Sequence, residues 1–194
     1  TLFPYTTLFR SNGVTSIGDD TFSGCSSLTN IKIPDSVTSI GWGAFRGCSS
    51  LTNITIPDSV ISIGSYAFSG CSGLESITLP FVGDRFGVTS EDKHQYPFGY
   101  IFGEGSYNGS VATGQYYHDS STSSTTHSEY YIPSSLNSVT ITAGNILYGA
   151  FYNCGSLTSV TIGDSVTSID SSAFEYCSSL TSVIWNAENC TEVG

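Results

Sequence analysis

Apolar residues recur along this chain with a fixed period. Four segments of the same pattern align position by position; they begin at Val14, Val37, Val60 and Val166. The cysteines keep a step of 23 residues before and after an interruption, at Cys25, Cys48 and Cys71 and then at Cys154 and Cys177. A period of this length is typical of repeat proteins, in which each repeat is one structural unit.

Within each repeat, the spacing of the apolar positions changes. Ile54 and Ile56 alternate with Asn53 and Thr55, which predicts a short strand with one buried face. A proline closes each of the first three such segments, because it cannot donate to the next strand. Six of these segments begin at Leu28, Leu51, Leu74, Leu136, Leu157 and Leu180. The apolar residues of 60–71 are then spaced by three to four, which suits a turn of helix after a short extended stretch.

A single unit of this length cannot bury its own apolar face, whereas stacked units cover one another and build a continuous core. We therefore predict a repeat solenoid. It is a leucine-rich-repeat right-handed coil with a parallel β-sheet of about six short strands, and with short helical or extended segments on the opposite side.

The period divides the chain into four parts. Residues 1–11 share no periodicity with the rest and read as the translation of a widely used sequencing adapter, so we treat them as an artefact. Leucine-rich repeats occupy residues 12–80 and 132–194, and we expect the second group to be truncated at its C-terminus. Residues 81–131 form an aromatic and Ser/Thr-rich insertion within the solenoid.

The repeated pattern resembles that of the BspA-like leucine-rich-repeat surface proteins. Their signature, SIGxxAFxxCxSLxxIxIP, is matched by Ser39 to Pro57 and by Ser62 to Pro80, and the resemblance covers residues 12–80 and 132–190. It implies a secreted or cell-surface protein that adheres to host extracellular proteins or to other microbes. It implies binding rather than catalysis, and it transfers no contact residues because the shared positions hold the coil together.

The insertion is the first candidate contact surface, since insertions in solenoids often lie on the binding face. Its stretch Ser120–Ser128 is of low complexity and is predicted to be mobile, whereas Phe98–Gly103 is predicted to be ordered. Two interpretations of its aromatic residues stay open, a small packed cluster or an exposed contact patch. For the patch, the candidates are Tyr96, Tyr100, Tyr107, Tyr116, Tyr117 and Tyr130.

The strand face that turns away from the core is the second candidate surface. Its residues are small, polar and nearly uncharged, which suits weak, multivalent or carbohydrate-like contact. A Ser and Thr ladder that merely solvates the sheet is the alternative. The binding candidates on this face are Asn30, Lys32, Asn53, Thr55, Ser76 and Thr78.

Charge narrows the choice of partners. The chain has 5 Lys plus Arg against 16 Asp plus Glu, a formal net charge of −11, which disfavours nucleic acid and anionic membrane surfaces. It contains no apolar run of about 18 residues that would insert into a membrane. We expect a protein or glycan partner on a host or microbial surface, and neighbouring repeats of a longer parent chain.

The cysteines, aspartates and histidines are the residues that could carry chemistry in this chain. The five repeated cysteines are expected to form a reduced, buried ladder, while Cys190 either covers the end of the core or stays unpaired. No CxxC motif indicates zinc, and one aspartate per turn gives few ligands for calcium, so we predict no metal and no cofactor. Histidines lie in the insertion near Asp and Ser, at His94, His118 and His127.

Three functions follow from the sequence. The preferred one is a non-catalytic adhesion module, the alternative is a purely structural spacer in a longer repeat array, and an enzyme using the insertion's His, Asp and Ser residues is remote. A flexible polar tract does not hold catalytic groups in fixed positions. The adhesion hypothesis predicts that deleting Ser90 to Tyr130 leaves the coil folded and abolishes binding.

Overall fold

The computed structural model describes residues 13–88, 97–119 and 124–193. Residues 1–11, interpreted as an artefact, lie outside this part of the chain. The described ranges contain one short 3-10 helix, Phe98–Ile101, and eleven strands. The strands are β1 (Ser16–Ile17), β2 (Ser39–Ile40), β3 (Asn53–Thr55), β4 (Ser62–Ile63), β5 (Ser76–Leu79), β6 (Ser110–Asp119), β7 (Ser124–Pro133), β8 (Ser138–Ile146), β9 (Ser159–Ile169), β10 (Ser182–Trp185) and β11 (Glu192–Val193).

The repeats stack as a solenoid with parallel strands. A larger sheet runs β10, β9, β8, β5, β3, with β11 also paired to β9, and a smaller sheet runs β1, β2, β4. Equivalent residues stay in register, so that Ile54 pairs with Ile77 and Ile77 pairs with Val139. The predicted parallel coil is therefore confirmed.

The first predicted strand, which begins at Leu28, does not form. Residues 28–34 are irregular, although Ile33 is only 3% exposed. This unit is held to the next one through its turn, where the Phe22 N–H donates to the Ala44 oxygen at 2.8 Å. Among the described residues, this unit has a neighbouring repeat on one side, so fewer bonds fix its conformation.

Proline marks the end of two strands of the larger sheet. The strands β3 and β5 stop next to Pro57 and Pro80, as predicted. Units without such a proline instead form β8 and β9, of 9 and 11 residues, which continue around the corner of the coil. Their pairing shifts register twice, and Gly144 at the second shift has a φ of +81°, a left-handed conformation that glycine adopts without strain.

The segment predicted as a turn of helix consists of non-helical turns. Tyr66 and Gly70 both have positive φ, at 58° and 73°, which interrupts a right-handed helix. Backbone donors here bond to the next repeat; the Phe45 N–H, for example, donates to the Ala67 oxygen at 2.8 Å. Bonds between units therefore replace the bonds within a helix.

A row of phenylalanine rings runs through the core beside these turns. Ring contacts of 4.6 to 6.4 Å connect seven rings from five repeats and the insertion. Two of the rings, Phe98 and Phe102, come from the insertion and are fully buried. We call this row the phenylalanine ladder: Phe22, Phe45, Phe68, Phe102, Phe98, Phe151 and Phe174.

The insertion is one long turn of the coil. Its entry and exit strands, β5 and β8, pair directly with each other. Between them, the Asp84 oxygen accepts from the Ile63 N–H at 2.7 Å, and the Ile101 oxygen accepts from the Phe68 N–H at 2.9 Å. The insertion thus supplies the bonds that a regular repeat would supply.

A hairpin of β6 and β7 projects from this long turn and covers it. Ser124–Ser128, part of the stretch predicted to be mobile, lie in β7, while residues 120–123 lie outside the described residues. Gln115 is fully buried, donates to the Ala150 oxygen at 3.0 Å and accepts from the Gly99 N–H. Deleting Ser90 to Tyr130 would remove these bonds and two rungs of the ladder, so the structure does not support the predicted tolerance of that deletion.

We expect Phe98→Ala to destabilise the chain by about 3–5 kcal/mol, as much as Phe68→Ala in a regular repeat, because both leave a cavity in the phenylalanine ladder. Urea unfolding followed by circular dichroism measures the difference. The matched control is Phe86→Ala in the same insertion, whose ring is 51% exposed and should cost about 1 kcal/mol or less. If Phe98→Ala lowers the free energy of unfolding as little as the control does, the insertion does not contribute to the core of the coil.

Candidate functional site

The outward face of the larger sheet carries two straight rows of small polar residues. Pairing places Asn53 beside Ser76 and Thr55 beside Thr78, and the rows continue through Ser138 and Thr140, Ser159 and Thr161 to Ser182 and Ile184. Neighbouring strands of a sheet lie about 4.8 Å apart, so the hydroxyl groups repeat at that interval. We call this surface the hydroxyl face.

The predicted residues of this face differ in exposure. Asn53 and Thr55 are exposed, whereas Ser76 and Thr78, on an inner strand, are half-buried. Their hydroxyl groups point away from the core, since the alternate residues Ile54 and Ile77 are buried. Their role in binding stays a prediction.

Asn30 and Lys32 are also exposed, but they belong to the irregular segment of the first unit and not to the sheet. Lys32 borders an apolar concavity of about 300 Å³ at the N-terminal end of the coil. These two residues therefore do not continue the rows of the hydroxyl face.

Several insertion tyrosines are packed against the coil. Tyr130 is only 2% exposed, so burial removes it from the predicted contact patch. Tyr100 packs on the core, and burial raises the pKa of its phenol. Burial likewise raises the pKa of Tyr107. For these three residues, the interpretation as a packed cluster fits better than a contact patch.

The remaining candidate, Tyr116, takes part in a row of rings on the surface. Its ring meets that of Tyr152 edge to face at 4.6 Å, and Tyr152 meets Tyr176 edge to face at 5.2 Å. We call Tyr116, Tyr152 and Tyr176 the tyrosine row. Tyr96 lies outside the described residues, and so does the side chain of Tyr117.

Sequence reasoning missed Tyr152 and Tyr176 because they lie inside repeats. A signal was present, since their equivalents in the second repeat are Arg46 and Gly47. A large aromatic residue at a repeat position that is otherwise small or polar indicates a surface role, because the core does not require it.

The histidines of the insertion, considered above as catalytic candidates, do not form a catalytic arrangement within the residues that the structure describes. His94 and the side chain of His118 lie outside the described residues. His127 is exposed, with its ring 5.7 Å from that of Tyr116. Within 13–88, 97–119 and 124–193, no group of His, Cys, Asp and Glu is arranged to hold a metal ion. In the same ranges, no helix has the length and hydrophobicity to cross a membrane.

The repeated cysteines form a ladder of free thiols. The five repeated cysteines are free thiols, and Cys48, Cys71, Cys154 and Cys177 are buried. Cys25 in the first repeat is exposed, so the predicted burial is wrong for this position, where the next repeat covers the thiol from one side only. In three of these units, at Cys48, Cys71 and Cys177, the thiol donates to the backbone oxygen of a phenylalanine in the preceding repeat. The Cys71 thiol, for example, donates to the Phe45 oxygen at 3.2 Å. Burial raises the pKa of Cys48 to about 11 and that of Cys71 to about 12, so these thiols are poor nucleophiles at neutral pH.

Both ends of the coil expose apolar surface. At the C-terminal end, a concavity of about 430 Å³ is bordered by Leu180, Val183 and Trp185. Val183 and Trp185 are 54% and 45% exposed although they belong to a strand of the larger sheet. A further repeat stacked on this end would cover them.

Comparison with known proteins points to one family. A family model described as BspA type Leucine rich repeat region matches residues 4–87 and 116–194, in six copies. No curated protein shows significant similarity to the chain.

Several solved structures are similar. A leucine-rich repeat protein from Eubacterium ventriosum shares the fold, with a TM-score of 0.53 and 22% identity over 95% of this chain and 40% of its own. A T. pallidum leucine-rich-repeat protein is 25% identical, covers 93% of this chain and 63% of its own, and has a TM-score of 0.38. A leucine rich cell surface protein from Faecalibacterium prausnitzii is 23% identical over 89% and 57%, with a TM-score of 0.34. This chain therefore spans less than two thirds of each of these proteins.

We expect alkylation of the folded chain at pH 8 to modify Cys25 and to spare Cys48, Cys71, Cys154 and Cys177, since burial keeps these four thiols protonated and inaccessible. Mass spectrometry after iodoacetamide treatment measures the sites. In urea without reductant, all five repeated cysteines should react. A cysteine that reacts in urea only after reduction would be in a disulfide and would contradict the free ladder.

Proposed function

The chain belongs to the BspA-type leucine-rich-repeat family, and we propose that it is a non-catalytic adhesion module of a secreted or cell-surface protein. It binds a protein or glycan on host or microbial surfaces. The observation that carries this proposal is the hydroxyl face, a regular, uncharged and partly exposed surface whose spacing is fixed by the parallel sheet.

The chemistry of the hydroxyl face favours weak contacts repeated many times. Hydroxyl groups donate and accept hydrogen bonds, and the strand register fixes their spacing. Between β3 and β9 the two rows contain neither arginine nor aromatic residues, which are the usual anchors of tight interfaces. Such a surface suits a repetitive partner that engages several units together, because linked weak contacts raise the overall affinity.

Export to the cell surface is supported by the family to which the repeats belong. BspA-type repeats are typical of surface proteins, and one similar structure is that of a leucine rich cell surface protein. Four inert, buried thiols also suit an oxidising exterior, since burial prevents them from forming disulfides.

A structural spacer is the second candidate, and the ends of the coil favour it. Exposed Val183 and Trp185 at one end, and the apolar concavity beside Ile31 at the other, offer stacking surfaces for further repeats of a longer chain. The two functions make different demands on the hydroxyl face. A spacer tolerates any substitution there that preserves the fold, whereas an adhesion module does not.

We expect Thr140→Lys to weaken binding by about tenfold or more, because it places a bulky charge at the centre of the hydroxyl face. Thr140 lies between Thr78 and Thr161 in the sheet, and its side chain leaves the core untouched. The measurement is retention of the full chain on immobilised mucin, collagen and bacterial cell-wall polysaccharide, beside its thermal unfolding.

The matched control is Ser171→Lys, which adds the same charge at an exposed turn position just after β9. It should bind like the parent chain. Equal binding by both variants, or no binding by the parent chain, would favour the spacer.

A further inference from the structure

Tyr176 occupies a backbone position that does not suit it. The equivalent residues, each just before the repeated cysteine, are Gly24, Gly47, Gly70 and Asn153. All five have positive φ, and that of Tyr176 is 59°. Glycine and asparagine adopt this left-handed conformation readily, whereas a bulky residue is strained there.

The core does not compensate for this strain. The side chain of Tyr176 is 62% exposed, so little of its surface is buried by folding. Its ring instead completes the tyrosine row, whose members come from the hairpin and from the two repeats that follow it. A strained and exposed aromatic residue of this kind indicates a contact with another molecule.

The tyrosine row presents perpendicular rings next to negative charge. The interplanar angles are 83° for Tyr116 and Tyr152 and 80° for Tyr152 and Tyr176. Glu175 directly precedes Tyr176 in the chain, and its backbone oxygen accepts from the N–H of Asn153, which follows Tyr152, at 2.9 Å. A carboxylate therefore belongs to the segment that carries the row.

The charge around the row has one sign. From His94 to Gly194 the chain contains eight Asp and Glu and neither Lys nor Arg. All five basic residues of the chain precede this region. The electrostatic field on this half of the molecule therefore attracts cations and repels acidic partners.

We propose that the tyrosine row, with Glu175, is a docking surface for a basic segment of a partner protein, in which arginine or lysine side chains lie against the tyrosine rings. The inference rests on the proposed adhesive function and names the chemistry of one partner. Aromatic faces attract guanidinium and ammonium groups, and the adjacent carboxylate adds a charge-assisted bond.

The same contact already occurs within the chain. The Arg46 guanidinium lies over the Trp42 ring at 5.9 Å from its centre. In the repeat that carries Cys154, Tyr148 takes the position of Trp42 and Tyr152 takes the position of Arg46. Aromatic rings thus occupy both positions of the contact there, and a cation has to come from a partner.

The test measures binding of a fluorescein-labelled arginine-rich peptide to the full chain by fluorescence anisotropy at ~0.15 M salt. Tyr176→Asn should weaken binding by about tenfold. Its thermal unfolding midpoint should stay the same or rise, because asparagine relieves the strain at φ 59°. Glu175→Gln should weaken binding as well and make it less sensitive to salt.

The control variant is Phe86→Ala, which removes an aromatic side chain that is 51% exposed in another segment and should leave peptide affinity unchanged. The probe controls are a glutamate-rich peptide of equal length and a neutral oligosaccharide, neither of which should bind the row. Peptide binding that is unaffected by Tyr176→Asn would overturn the inference, as would an oligosaccharide whose binding depends on Tyr176. Loss of surface binding in Thr140→Lys would still support the adhesive function in either case.

Discussion

Contact between equivalent residues of successive repeats is the interaction on which this structure depends. A unit of 23 residues has too little apolar surface to fold alone, so each unit is stable only when its neighbours cover it. Backbone bonds such as that from Phe45 to Ala67, and the stacking of Phe45 on Phe68 at 5.4 Å, fix the distance between units. Register, sheet and outer surface all follow from that stacking.

The long turn at residues 81–131 obeys the same constraint. A coil that lacked one set of core contacts would expose the units on both sides, and the insertion prevents this with Phe98, Ile101 and Phe102. Its hairpin is then fastened by the buried side chain of Gln115. The side-chain oxygen accepts from the Gly99 N–H, and the side-chain nitrogen donates to the Ala150 oxygen, which also accepts from the Phe98 N–H. The insertion thus stabilises the coil in the same way as the repeats do. The surface available for binding consists of the side chains that the insertion and the repeats leave exposed.

Function and fold make separate demands on each repeat. Inward positions carry Leu, Ile, Val, Phe and Cys because the core requires them, and they say nothing about a partner. Outward positions are free to vary, which is where the hydroxyl face and the tyrosine row are found. Tyr176 shows the two demands in conflict, since the backbone there favours glycine and the surface holds an exposed ring.

The sequence by itself determined the period, the parallel coil and the burial of four of the five repeated cysteines, since spacing alone decides which residues stack on which. It also identified Thr55 and Thr78 as outward residues, because side chains alternate along a strand. Only the tertiary structure decided that Phe98 and Tyr130 belong to the core and that Tyr116, Tyr152 and Tyr176 meet on the surface. Those contacts join residues that are far apart in the chain and follow no period, so no local pattern encodes them.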